Sequence, residues 1–138
     1  MALVNALSTD SGVGGLTAPV PTGLGVTGIW KGIAPEQAVH PVVTFHDYAP
    51  SADESTLSIA RAWTTYRYVI KGIGKGIETQ GQIEEISERL LWLLTDPVLS
   101  IAGHVLMYCR RESELSYTET SGGTVFQHAG GVFRLEVE

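Results

Sequence analysis

One amphipathic segment near Gln80–Thr95 constrains the fold of this chain more than any other feature. Its apolar residues recur with the 3.6-residue period of an α-helix, whereas Glu84, Glu85, Glu88 and Arg89 occupy the other side. The apolar set is Ile83, Ile86, Leu90, Leu93 and Leu94. The pattern predicts a helix with one face buried against the rest of the domain. Thr79 and Gln82 predict a capping box at its start, and Asp96-Pro97 predicts its end.

Trp92 departs from this pattern. It follows Ile83 by nine positions (92 − 83), and at about 100° per residue this places it on the opposite face. A tryptophan among Glu85 and Glu88 is therefore expected to be partly exposed, or to be covered by another chain.

The segments around the helix favour β-strands because they are rich in β-branched and aromatic residues. The expected strands are Gly28–Lys31, Pro41–Tyr48, Leu57–Lys71, His104–Thr120 and Thr124–Glu138. Ile33–His40 and Ala49–Ser55 read as loops, and Ser121-Gly122-Gly123 as a turn. This order predicts an α+β fold: a mainly antiparallel sheet with one principal helix packed on one face.

The last two strands require a correction of register. Phe133, Leu135 and Val137 alternate with charged residues, and Val105, Met107 and Cys109 form the inward set of the partner strand. Simple pairing about the turn places Val137 opposite Tyr108, which mismatches the two faces. We therefore predict a one-residue bulge, placed at Ala129–Gly131.

The N-terminal residues 1–28 are predicted to form an arm or loop, and residues 29–138 a single domain. Ser8–Gly28 holds six glycines and two prolines with almost no charge, so it does not favour a helix. Its apolar residues, among them Leu16 and Val20, are expected to dock on their own domain or on a neighbouring chain.

Composition excludes several classes of function. A net charge of −6 disfavours binding to nucleic acid, which requires clustered lysine and arginine. The single cysteine, Cys109, cannot form a disulfide within the chain and is interpreted as a small core residue. Met1–Asp10 lacks the features of a signal peptide, and no apolar run approaches the roughly 18 residues of a membrane span. The expected location is a reducing cytoplasm, or a particle assembled there.

No catalytic, metal or cofactor motif is apparent. The turn Gly72–Gly76 lies where a phosphate-binding loop would lie, but it matches neither the dinucleotide fingerprint nor the P-loop. It is interpreted as a flexible connector that is compatible with an interaction loop. The four histidines, His40, His46, His104 and His128, show no metal-binding spacing. We expect no enzymatic activity.

The order of features resembles the small tail-completion, or tail-terminator, proteins of long-tailed bacteriophages. The likeness covers about residues 28–138. It is carried by Gly28-Ile29-Trp30-Lys31-Gly32 before Pro41–Phe45, by Leu90-Leu91-Trp92-Leu93-Leu94 at the end of the helix, and by a hairpin with Tyr117-Thr118-Glu119, Phe126-Gln127-His128 and Phe133-Arg134-Leu135. The chain departs from the family at its N-terminus, where a glycine-rich arm replaces most of a longer helix.

The resemblance implies a ring, typically a hexamer, in the tail or neck of a virion that is assembled in the host cytoplasm. Such a ring caps the tail tube, stops its polymerisation and contacts the head-side connector protein, without catalysis or cofactor. DNA would pass through the lumen without specific binding, and a net negative wall would let it slide. The candidate assembly residues are Leu16, Val20, Trp30, Gly74, Lys75 and Trp92.

Two other functions stay open at this point. One is a different part of the same machine, either a head–tail adaptor or a tail tube subunit. The other is a small ligand-binding domain or enzyme that uses the Gly72–Gly76 turn.

Overall fold

A computed structural model describes residues 7, 9–12, 14–20, 22–35, 37–54, 63–95 and 106–137. The elements are β1 (Ile29–Lys31), β2 (Val42–Glu54), β3 (Trp63–Lys75), a 3-10 turn (Ile77–Thr79), α1 (Gln80–Thr95), β4 (Leu106–Ser121) and β5 (Thr124–Val137). The strands form one sheet in the order β1-β2-β3-β5-β4. The predicted α+β class is confirmed. The sheet is mixed, because β1 pairs with β2 in parallel, whereas the other neighbours are antiparallel.

Helix α1 has the predicted bounds and packs on β3, β5 and β4. Its five predicted core residues are all buried, and they meet apolar residues of the sheet such as Phe45, Ile70 and Phe133. The predicted capping box is wrong. Thr79 Oγ1 donates to the Gly76 carbonyl at 2.7 Å, and Gln82 Nε2 donates to the Leu24 carbonyl at 2.9 Å. Both side chains therefore make other bonds, because a 3-10 turn precedes the helix and the N-terminal segment lies beside it.

Strand β3 continues through the glycines that were expected to end it. It pairs with β5 as far as Lys75, so the predicted turn at Gly72–Gly76 is wrong except at Gly76 itself. Glycines occupy this part of the strand because the helix lies very close to it. A Cβ atom on Gly72 would lie 2.7 Å from Ile86 Cγ2, and one on Gly74 would lie 2.5 Å from Thr79 Oγ1. These glycines are strand residues that allow α1 to approach the sheet closely.

Strand β2 also exceeds its predicted length, so the loop expected at Ala49–Ser55 is wrong as far as Glu54. Its pairing with β3 shifts register between Asp47 and Ala49, and again between Ala49 and Ala52. Pro50 lies within the second shift. Since proline cannot donate to a strand ladder, an irregular register is what allows the strand to pass it.

The β4–β5 hairpin contains the predicted parity correction in a different place. Gly122 and Gly123 form the two-residue turn with φ of 55° and 80°. The register shifts between Arg111 and Ser113, and again between Leu106 and Tyr108, so the bulge predicted at Ala129–Gly131 is wrong. The first shift aligns Cys109 with Leu135.

The glycines of β5 serve close packing instead of a bulge. A Cβ atom on Gly130 would lie 2.1 Å from the Ile70 carbonyl oxygen.

The extra residue of the bulge between Arg111 and Ser113 is Glu112. Its carboxylate lies 3.3 Å from Arg67 Nε and 3.6 Å from Arg134 Nη1. The bulge therefore directs a carboxylate toward two arginines.

The described part of the N-terminal segment packs on its own domain. Leu16 and Val26 are buried in the same apolar cluster as the helix. The Asp10 carboxylate accepts bonds from the Leu16 amide at 2.9 Å, Arg89 Nε at 2.8 Å and Arg89 Nη2 at 2.6 Å. This bidentate contact ties the segment to the middle of α1.

We expect Gly74→Ala to destabilise the fold by about 1–3 kcal/mol, because the added methyl group overpacks the contact between β3 and α1. Gly81→Ala is the matched control. Gly81 lies in α1 with open space around its Cα, so alanine there should be neutral or stabilising by up to about 1 kcal/mol. Urea denaturation of both variants measures the difference. Equal stability of the two variants would contradict the close-approach argument.

The Asp10–Arg89 contact predicts a dependence of stability on pH. Burial alone would raise the pKa of Asp10, but the bonds from Arg89 and the Leu16 amide outweigh it and lower the pKa overall. The stabilisation is thus fully present above the unfolded pKa of about 3.9, and it is lost as pH falls through the lower folded value. The free energy of unfolding of wild type should exceed that of Asp10→Asn by a constant amount above about pH 5. The excess should shrink below about pH 4.

Asp47→Asn, at an exposed carboxylate of β2, serves as the control and should follow wild type. A stability difference between wild type and Asp10→Asn that persists undiminished at pH 2 would contradict the assignment.

Candidate functional site

The outer face of α1 presents an exposed tryptophan among carboxylates. The side chain of Trp92 is 50% exposed, as its position opposite Ile83 predicted, and Glu84, Glu85 and Glu88 are also exposed. The Arg89 guanidinium lies 4.3 Å from the centroid of the Trp92 ring, within cation–π distance. Asp10 also holds Arg89 by an ion pair, so the guanidinium that contacts the indole ring is itself fixed in place.

This face borders an open groove of about 780 Å³. Gly14 and Leu24 line it from the N-terminal segment, and Glu114 and Ser116 line it from β4. Its charged lining consists of four glutamates and one arginine, and that arginine is already paired with Asp10. The groove is therefore acidic with one aromatic contact point, which suits a basic or apolar protein surface.

A second exposed surface lies at the β1 edge of the sheet. Trp30 on β1 is 38% exposed, and the following loop presents Ile33 at 91% and Val39 at 70%. Lys31 and Lys75 are exposed near the two ends of this loop. Burial lowers the pKa of His40, at the end of the loop, and the charge of nearby Lys75 lowers it further.

The six residues predicted as an assembly interface do not form one surface. Leu16 is fully buried in its own chain, and Gly74 is buried beneath α1, so neither presents exposed surface. Val20, Trp30, Lys75 and Trp92 are exposed, but they lie on four different elements of the fold.

A cleft of about 500 Å³ on the sheet face opposite α1 was missed by the sequence reasoning. Lys71, Glu119 and His128 line it together with the loop segment 32–34. The Tyr117 and His128 rings stack at 4.3 Å, and Lys71 Nζ donates to the Tyr117 hydroxyl at 2.5 Å. These residues come from four segments that only the sheet brings together. The sequence did contain one signal for this cleft, because counting residues outward from the hairpin turn places Tyr117 opposite His128.

His128 has an unusual environment in this cleft. Its side chain is 6% exposed, and neither ring nitrogen has a hydrogen-bond partner among the described residues. Burial lowers its pKa, the charge of Lys71 adds to this, and Glu119, 3.8 Å away, opposes it. The imidazole is therefore neutral at pH 7 and keeps one donor and one acceptor nitrogen.

The remaining chemistry is limited. Burial raises the pKa of Cys109 to about 12, so the thiol is protonated and belongs to the core, as predicted. In the part of the chain that the structure describes, no group of three or more His, Cys, Asp or Glu residues is placed to hold a metal ion. Gly72 and Gly74 are strand residues packed beneath α1, and they do not form a phosphate-binding loop.

No protein-family model matches the sequence, and no curated protein matches it either. The only helix of eight or more residues within the described ranges, α1, is too short and too polar to cross a membrane.

Proposed function

We propose that this chain is a structural subunit of the phage tail-terminator type, which assembles into a ring through exposed surfaces of the folded domain. The observation that carries the proposal is Trp92, half exposed on α1 and supported by the Asp10–Arg89 pair. The resemblance of residues 28–138 to tail-completion proteins gives this assembly its biological setting.

An exposed and anchored tryptophan favours association for two physical reasons. Tryptophan is enriched at the energetically dominant points of protein interfaces, because it buries a large apolar area with few rotatable bonds. The cation–π contact with Arg89 also restricts the side chain before binding. Less conformational entropy is then lost when a partner covers it.

The distribution of exposed apolar residues favours a ring. A closed ring of identical subunits requires two unlike surfaces on each subunit that fit one another. This chain has one such surface on the outer face of α1 and another around Trp30, Ile33 and Val39 at the β1 edge.

In this proposal the ring ends the tail tube and contacts the head-side connector. The tube protein and the connector protein are then its partners in the virion, and the ring is assembled in the host cytoplasm. A net charge of −6 suits a lumen through which DNA slides without being bound. A lumen lined by lysine and arginine in an imaged assembly would argue against that part of the proposal.

A head–tail adaptor or a tail tube subunit is the nearest alternative. Tube subunits polymerise without limit, whereas a terminator stops at one ring. Electron microscopy of the purified protein distinguishes them, since isolated rings support the terminator and long tubes oppose it.

The cleft at His128 favours one further candidate, a ligand-binding domain. The specific observation for it is a buried imidazole beside a lysine, with neither ring nitrogen hydrogen-bonded to a residue that the structure describes. A thermal-shift screen with phosphates and nucleotides tests this candidate. Stabilisation by several degrees at millimolar ligand, lost in Lys71→Met but kept in Lys75→Met, would favour ligand binding over assembly.

For the assembly itself, we expect Trp92→Ala to leave the fold nearly intact and to weaken self-association about ten-fold or more. Leu90→Ala is the matched variant two residues away. Leu90 is fully buried, so its truncation should cost about 2–5 kcal/mol of fold stability. Urea denaturation measures the fold stability of each variant, and sedimentation over a range of concentrations measures its self-association. A Trp92→Ala protein that unfolds readily yet still associates at wild-type strength would contradict the assignment.

A further inference from the structure

We propose that the cleft on the sheet face opposite α1 binds a small zwitterion with the ammonium and carboxylate groups of a free α-amino acid. This inference names the ligand class for the ligand-binding candidate above, on which it rests, and it does not depend on ring assembly. The cleft has a volume of about 500 Å³, which lies within the usual range for small-molecule sites.

The register of three strands brings the side chains of the cleft together. Lys71 and Ile73 lie on the same face of β3, and Ile73 lies beside His128 of β5. Tyr117 of β4 lies on the other side of His128. Segment 32–34, which follows β1, lines the same cleft. Groups that are distant in the sequence therefore surround one volume.

A glycine lets the Lys71 side chain reach across the sheet. A Cβ atom on Gly130 would lie 2.8 Å from Lys71 Cβ, so glycine at this position leaves room for the lysine. Strand β5 lies between β3 and β4, yet Lys71 Nζ donates to the Tyr117 hydroxyl at 2.5 Å. This bond uses one of the three ammonium hydrogens, and no described carboxylate forms an ion pair with Lys71. The ammonium group is thus held in position and retains donors for a ligand carboxylate.

His128 supplies a buried polar group at the wall of the cleft. Its side chain is 6% exposed, and neither ring nitrogen is hydrogen-bonded to a described residue. Because folded proteins pair nearly all of their buried polar atoms, this imidazole indicates a partner from outside the described chain. Its Nε2 atom lies 3.8 Å from Oε1 of Glu119, which also lines the cleft. Nε2 is therefore on the side from which a ligand would approach.

The gap between His128 and Glu119 fits an ammonium group. A nitrogen atom placed about 2.9 Å from both Nε2 and Oε1 makes two hydrogen bonds of ordinary length. The neutral imidazole accepts one of these bonds, and the carboxylate accepts the other with the added strength of its charge. The Glu119 side chain is 54% exposed, so it has room to turn and admit the group.

The charges of the lining favour a zwitterion over a simple ion. Among the described residues of the cleft, Lys71 is the one lysine or arginine, and Glu119 is the one carboxylate. A simple anion is attracted by Lys71 but repelled by Glu119, and a simple cation meets the reverse. An α-amino acid satisfies both charges, and Ile33, Ala34 and Ile73 offer apolar contacts to an aliphatic side chain.

Leucine and two analogues that carry one charge each test this class with the full-length protein. 4-Methylpentanoate lacks the ammonium group of leucine, and 3-methylbutylamine lacks its carboxylate. We expect about 10 mM leucine to raise Tm by about 3 °C or more, and each analogue to raise it by less than about 1 °C. The ring-nitrogen NMR signals of His128 should also shift with leucine, because Nε2 accepts a hydrogen bond from the ammonium group.

Two variants and two controls locate the effect in the cleft. Lys71→Met and Glu119→Gln should each abolish the rise in Tm with leucine, because each removes one of the two charges that the ligand pairs with. Lys75→Met and Glu114→Gln are the matched controls. They lie on the same two strands but outside the lining of the cleft, so they should keep the rise.

The outcomes separate the ligand class from the candidate function. Equal stabilisation by leucine and by either analogue overturns the zwitterion, as does a leucine effect that survives both Lys71→Met and Glu119→Gln. Stabilisation by phosphate or nucleotides without any by leucine keeps the ligand-binding candidate and overturns this inference. A protein that none of these compounds stabilises, and whose His128 signals do not move, overturns both. Sedimentation measures ring assembly separately.

Discussion

The structure depends on the close approach of α1 to the middle of the sheet. Gly72 and Gly74 lie under the helix, where any side chain would meet Ile86, Ile83 or Thr79. Because these positions lack a Cβ, the helix can bury Ile83, Ile86, Leu90 and Leu94 almost completely against β3 and β5. Apolar burial of this kind is the dominant favourable contribution to folding. It also determines which face of the helix is left for other proteins.

A second constraint links the N-terminal segment to that outer face. Asp10 contacts Arg89 through two hydrogen bonds, and Arg89 in turn lies over the Trp92 ring. One ion pair therefore connects the packing of the described N-terminal residues, among them Leu16 and Val26, to the position of the exposed tryptophan. If the surface around Trp92 is an interface, the N-terminal segment supports it through Arg89 and also lines the adjoining groove.

The face of the sheet opposite α1 is polar and internally paired. The bulge at Glu112 places a carboxylate between Arg67 and Arg134, and Lys71, Tyr117 and His128 form a stacked and hydrogen-bonded group nearby. Large exposed apolar side chains lie instead on the outer face of α1, at Trp92, and at the β1 edge, at Trp30, Ile33 and Val39. For this reason the proposal assigns assembly to these two surfaces.

The sequence by itself determined the elements whose signals are local. The helical period specified Gln80–Thr95 and its buried residues, the same period placed Trp92 outside, and the alternation in Phe133–Val137 required a bulge somewhere in the hairpin. Only the tertiary structure decided what depends on contacts between distant segments. In the sequence, Gly72 and Gly74 are typical of a turn, but they are strand residues because a helix packs over them. Gly130 is typical of a bulge, but it is a strand residue packed close to the Ile70 carbonyl. Leu16 was predicted as an interface residue, but it is buried in the core of its own chain. His128 and Lys71 share a cleft only because β3 and β5 are neighbours in the sheet. A residue pattern along the chain reports local geometry and burial, whereas the partner of each side chain is set by the packing of elements far apart in sequence.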